Sequence, residues 1–152
     1  MTNAALSNAL ISQVPRILEE AAYVLIEDTN APLPESYLAV VAELDFSGPR
    51  TGVMWLATSA EETQRLAEEM LGQDHVDDSI MGEKALAEVL NIITPWVLDA
   101  WWGTNTEYRV GTPLTLFLNL RDTTVWSLPD DQRVILSTVT GATVLCGASL
   151  QG

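Results

Sequence analysis

A carboxylate and a carboxamide three residues apart are the most suggestive chemical pair in this sequence. They are Glu88 and Asn91, within Met81-Gly82-Glu83-Lys84-Ala85-Leu86-Ala87-Glu88-Val89-Leu90-Asn91-Ile92-Ile93-Thr94-Pro95-Trp96. At about 100° per residue, a helix projects such a pair about 60° apart and one turn along its axis. A neutral amide both donates and accepts hydrogen bonds, so it orients a water without being protonated away. That is the positioning role a Gln fills in some GTPases, where phosphoryl hydrolysis is mostly a matter of placement and charge. A neighbouring carboxylate docks a Lys or Arg of another molecule. By spacing alone, Glu-x-x-Asn on a wet helix face is most often plain surface.

Other chemistries fare worse. No Gly-rich phosphate loop precedes a helix, and there is no nucleophile elbow. His75 lies in the polar run Gln73-Asp74-His75-Val76-Asp77-Asp78 and reads as a solvated loop histidine. Cys146, in an apolar strand, reads as a small buried hydrophobe, not a nucleophile. One Cys and one His leave no soft zinc set and no internal disulfide. The acidic pairs Glu19-Glu20, Glu61-Glu62, Glu68-Glu69 and Asp130-Asp131 are sequence neighbours, which diverge on a helix and make poor catalytic dyads.

Charge and length narrow the classes further. The 152 residues hold 7 Lys+Arg against 21 Asp+Glu, a formal charge of -14. So few scattered cations build no basic patch for nucleic acid. Hydrophobic residues at 47% exclude disorder as the main state and supply one core for a single domain over 1–152. No cationic segment precedes an apolar run at the N-terminus, and no apolar run reaches the ~20 residues of a bilayer span. A cytoplasmic, reducing location is the expectation.

The elements that must hold Glu88 and Asn91 are legible as periodicities. Leu6, Leu10, Val14, Leu18, Ala22 and Leu25 recur at helical spacing, with Pro15 either opening the helix or kinking it. Glu27 to Pro32 has turn chemistry. Leu38, Val40, Ala42, Leu44 and Phe46 alternate along a strand, and Ser47-Gly48-Pro49-Arg50 turns it into a second strand over 51–57. A hydroxyl and acids at Thr58-Ser59-Ala60-Glu61-Glu62 start a helix that ends near Gly72. The third helix spans about 81–102 and stops at Gly103. It gathers Leu86, Val89, Leu90, Ile93, Trp96, Val97 and Ala100 on a core stripe, opposite Lys84, Glu88, Asn91, Pro95 and Asp99. Strands are predicted at 114–120, 125–127, 133–140 and 143–149. The order helix, two strands, two helices and four strands predicts an α+β fold, mostly antiparallel, with its helices on one side.

With these elements in place, the chain resembles the CheX/CheC/FliY family of chemotaxis phosphatases, the CheX type most of all. Gly82 to Ile93 is similar to the family's Glu-x-x-Asn helix, and Pro113 falls where the pattern carries a proline. Phe46 to Gly52 is similar to its hairpin turn, and Thr58 to Gly72 to its next helix. The resemblance implies a CheC-like fold and a phosphatase acting on the aspartyl phosphate of a CheY-like response regulator. Asn91 would insert into the regulator and align the attacking water, and Glu88 would pair with the regulator's active-site Lys. Lys84, Asp99 and Trp102 would be further partner contacts. The chain would need no cofactor of its own, because the regulator brings Mg²⁺.

The resemblance also implies a homodimer and a single site, since the first helix offers Glu20-Ala21-Ala22-Tyr23 without an Asn. Two residues depart from the pattern. Lys84 stands where many relatives have Ser or Asp, and Pro95 where a Gly is usual. Lys84 at i, i+4 could pair with Glu88, and Pro95 removes a helix N–H just past Asn91. Both favour an alternative, a catalytically weak module that docks a regulator or a flagellar switch component. A plain α+β dimerisation domain is the third reading.

Overall fold

The computed structural model describes residues 3–72 and 79–151. Its elements run α1 (Ala4–Ala22), β1 (Ile26–Asp28), β2 (Leu38–Ser47), β3 (Thr51–Ser59), α2 (Ala60–Leu71), α3 (Ser79–Trp102), β4 (Arg109–Val110), β5 (Leu114–Asn119), β6 (Arg133–Thr138) and β7 (Thr143–Gln151). The strands form one antiparallel sheet in the order β1-β6-β7-β3-β2-β4, with β5 also paired to β2. The β2–β3 and β6–β7 hairpins thus lie side by side at its centre. This is the predicted α+β arrangement.

Alternation decides which residues face the helices. Val40, Ala42, Leu44 and Phe46 of β2 meet Met54 and Leu56 of β3 and Val144, Cys146 and Ala148 of β7 in one core with all three helices. Burying apolar side chains at about 25 cal/mol per Å² makes this layer the main source of stability. The opposite face is covered too. Ala39, Val41, Ala57 and Leu145 pack under Leu120, Val125 and Leu128. The strand expected over 125–127 is instead a 3-10 turn, one of three between Leu120 and Gln132. Its apolar residues serve as a lid on the back of the sheet, so they need no ladder partner.

Helix boundaries follow local chemistry. α1 runs straight through Pro15 instead of starting there. It ends three residues earlier than its spacing suggests, because Tyr23 adopts a left-handed conformation (φ 58°) and Val24 N–H donates to the Leu18 carbonyl at 2.9 Å. Leu25 is therefore outside the helix and 60% exposed, ahead of β1, which pairs with β6. α2 is capped by Ser59, whose hydroxyl accepts from Glu62 N–H at 3.2 Å, and closes at Gly72 (φ 68°). The run containing His75 lies outside the described residues.

α3 is seated on both neighbours. Leu86, Val89, Leu90, Ile93 and Val97 are fully buried between α1, α2 and the sheet. Near its start, a Cβ on Gly82 would come within 2.8 Å of the Thr63 hydroxyl, so glycine there lets α2 and α3 approach closely. Among the described residues, no helix is long and apolar enough to cross a membrane.

Candidate functional site

Glu88 and Asn91 stand where the helical projection put them. Both are exposed on α3, as is Lys84, while Ala85, Leu86, Val89, Leu90 and Ile93 anchor the other side of the same turns. Among the described residues, no hydrogen bond or ion pair engages any of the three side chains. The intramolecular Lys84–Glu88 pair that the i, i+4 spacing allows is therefore not formed. A carboxylate, an ammonium and a carboxamide are all held out to solvent by a backbone that cannot easily shift. That combination suits engagement of another macromolecule's charged pocket.

Pro95 acts on this same turn. α3 continues through it without interruption. Proline has no N–H, so the main-chain carbonyl of Asn91 lacks its i+4 partner. The preceding carbonyl, that of Leu90, additionally accepts from the Thr94 hydroxyl at 2.8 Å. The helix is thus braced beside the gap, and the Asn91 carboxamide stays exposed.

The two other predicted partner contacts are placed differently. Asp99 and Trp102 share the exposed azimuth of α3, but the segment after the helix folds back over them. Burial, and next the charge of the Asp99 carboxylate it faces, pushes the Tyr108 phenol up. Trp102 packs edge-on to Phe46 at 5.8 Å between ring centroids, stacks on Trp101 at 4.7 Å and lies 6.2 Å from Tyr108. The hairpin turn presses on it so closely that a Cβ on Gly48 would sit 2.8 Å from the indole. Trp102 therefore fastens the end of α3 to the sheet through Phe46, while Asp99 faces Tyr108 of the returning segment.

Trp96 departs in the opposite sense. Assigned to the core by its angle, it is 47% exposed at the seam between α1 and α3, where the Arg16 guanidinium carbon lies 4.7 Å from the centre of its ring. Periodicity carried no signal for this, because the side of α3 that α1 leaves open is set by packing. On α1, Glu20 is exposed and ion-paired to Arg16 at 3.8 Å, and Tyr23 lies beyond the helix end. The Glu20–Tyr23 segment accordingly presents no second amide-bearing turn. Cys146 is completely buried, which pushes its thiol up to about 12 and keeps it protonated.

No protein-family model and no curated protein matches the chain. Solved structures do. The chemotaxis protein CheX of Desulfovibrio desulfuricans is matched with a TM-score of 0.69 at 15% identity, over 96% of this chain and 99% of that one. The CheX–CheY–BeF3–Mg²⁺ complex of Borrelia burgdorferi is matched with a TM-score of 0.69 at 12% identity, over 98% and 99%. The fold is that of the CheX and CheC-like chemotaxis proteins. Thermotoga maritima FliY is also similar, with a TM-score of 0.59 at 11% identity over 96% of this chain and 87% of that one. Three helices on one face of an antiparallel sheet are the CheC-like features, and α3 is the helix that carries Glu88 and Asn91.

Proposed function

We propose that this chain is a chemotaxis phosphatase of the CheX type, acting in the cytoplasm on the aspartyl phosphate of a CheY-like response regulator. The observation that carries the reading is the free Glu88/Asn91 pair on a firmly seated helix, in a fold shared with a CheX that was solved with CheY, BeF3 and Mg²⁺. Beryllium fluoride there stands in for a phosphoryl group.

In the proposed reaction, water attacks phosphorus, the bond between phosphorus and the aspartyl oxygen breaks, and inorganic phosphate leaves. The regulator holds the Mg²⁺ that neutralises charge on the phosphoryl oxygens. Asn91 accepts a hydrogen bond from the water and donates one toward a phosphoryl oxygen, fixing the line of attack. Glu88 pairs with the regulator's Lys, and Lys84 adds a cation beside an acidic pocket. Positioning of this kind is a sufficient source of rate, since alignment alone is worth several kcal/mol.

The direct test is to mix the protein with phosphorylated CheY-like regulators of the same organism and follow phosphate loss. Glu88→Ala is expected to weaken binding of the beryllofluoride-loaded regulator about 30-fold, from ~2 kcal/mol for truncating one partner of a desolvated charge pair. A dissociation constant equal to that of the unaltered protein would remove Glu88 from the docking role.

A second reading, a docking module with little turnover, is favoured by Pro95 and Lys84 at the active turn. It predicts tight binding of the same regulator with no gain in phosphate release.

Pairing of two copies goes with the first reading. β5 is an edge strand without a charged residue, and it exposes Leu114 (63%), Phe117 (44%) and Leu118 (37%), with Leu38 (59%) beside it. Unprotected apolar edges invite strand addition. Sedimentation is expected to give a dimer for the unaltered chain and a monomer for Phe117→Lys; a monomeric unaltered chain would dispose of the pairing.

A further inference from the structure

The side chains of Trp96, Arg16 and Glu20 form a relay across the seam of α1 and α3. Glu20 holds the Arg16 guanidinium at 3.8 Å, and that guanidinium lies over the Trp96 ring at 4.7 Å. The indole is thus fixed by a cation–π contact while 47% of the residue stays exposed. Nothing in the fold requires an aromatic ring at this place. The core stripe of α3 is already filled by Val89, Ile93 and Val97 on the adjoining turns.

Its position relative to the Glu88/Asn91 pair gives it a use. On an ideal helix Glu88 lies between the other two, about 60° from Asn91 and about 80° from Trp96, and Trp96 is about 7.5 Å further along the axis than Asn91. A partner that buries about 800 Å² per side covers a patch of roughly 16 Å radius. Asn91 and Trp96 thus point about 140° apart around the axis with Glu88 between them, so a partner that grips Glu88 and reaches on to α1 covers Trp96 as well.

Building on the response-regulator reading, we propose that Trp96, braced by Arg16, is the anchor that the regulator buries, and that it sets affinity and partner selectivity. Tryptophan and arginine are the residue types that dominate binding energy at interface centres. A ring already held in place loses little freedom when it is covered. Arg16, whose ion pair with Glu20 is solvent-exposed and weak, brings a cation to the α1 border of that surface in a chain of net charge -14. The complementary surface is an apolar patch bordering the regulator's acidic pocket. The role is one of docking, separate from the water placement given to Asn91.

The experiment measures binding to a CheY-like regulator loaded with beryllofluoride and Mg²⁺, together with kcat and KM for its phosphorylated form. Trp96→Ala is expected to raise Kd and KM about 30-fold and to leave kcat within about twofold. Arg16→Ala should raise them about threefold, and Trp96→Phe, which keeps a ring, should fall between the unaltered protein and Trp96→Ala. Far-UV circular dichroism checks that each variant is folded. If Trp96→Ala keeps the original Kd and KM while Asn91→Ala abolishes turnover, the anchor role is overturned and the phosphatase reading stands. If Asn91→Ala turns over at the original rate, or no regulator binds the unaltered chain, the phosphatase reading fails and the anchor falls with it.

Discussion

Asn91→Ala is expected to slow removal of phosphate from a phosphorylated CheY-like regulator by at least ~100-fold, the loss typical of deleting one preorganised hydrogen-bonding group at a reacting centre. The same substitution should slightly raise thermal stability. Asn91 is exposed and makes no hydrogen bond within the described residues, and alanine is the better helix former by a few tenths of a kcal/mol or more. For a chain of this size that corresponds to an upward shift of about 1–2 °C in melting temperature. Activity and stability thus move in opposite directions, a signature that neither a structural residue nor a neutral surface residue gives. A time course of phosphate release beside a thermal melt reads both. Turnover at the original rate would remove Asn91 from the chemistry.

Phe46→Ala should behave in the reverse way, as a large loss of stability from a residue with no chemical group to offer. Phe46 is 1% exposed at the end of β2, edge-on to Trp101 at 6.2 Å and to Trp102 at 5.8 Å. It couples the sheet to the last turn of α3, and Trp102 continues the chain of rings to Tyr108. Truncating a buried Phe to Ala costs about 3–5 kcal/mol through lost transfer energy and the cavity left behind. The expected result is a fall of roughly 6–20 °C in melting temperature, with loss of the near-ultraviolet signal of the tryptophan cluster. Urea titration measures the free energy directly. A change below about 1 kcal/mol would mean that the rings are held by something other than Phe46.

The two results separate the layers of the molecule. The aromatic cluster fixes where the end of α3 lies. Leu86, Val89, Leu90 and Ile93 fix how its middle is turned, and Glu88 and Asn91 use that fixed frame. Because the frame is rigid, the proposed site needs no pocket of its own. The cleft of about 160 Å³ where the end of α1 meets α2 is lined by other residues.

Much of this was legible in the residues themselves. Strict alternation through Leu38–Phe46 identified β2 and its core face, three- and four-residue spacing identified α1 and α3, and the hydroxyl cap with its acidic first turn identified α2. Segments too short to show a period misled. The three residues of β1 and the two of β4 carry no pattern, so neither strand was anticipated. Val125-Trp126-Ser127, expected as a strand, is too short to show a period, and packing on the back of the sheet makes it a 3-10 turn. Tyr23 ended α1 early through a backbone conformation that non-glycine residues seldom take, which spacing does not disclose.

Local order along the chain was enough to establish that Glu88 and Asn91 share the outward side of a well-buried helix, because a fixed rotation per residue couples their direction to that of Leu86, Val89 and Ile93. It did not establish which outward residues stay uncovered. Asp99 and Trp102 lie at nearly the same azimuth as Glu88 and Asn91, yet Tyr108 and the hairpin at Gly48 close over them. Trp96, placed inward by the same arithmetic, is left open with Arg16 across it. In each case the deciding contact comes from residues remote in sequence, or on another element. What covers a helix face is a property of the assembled layers, and no periodicity within the helix encodes it.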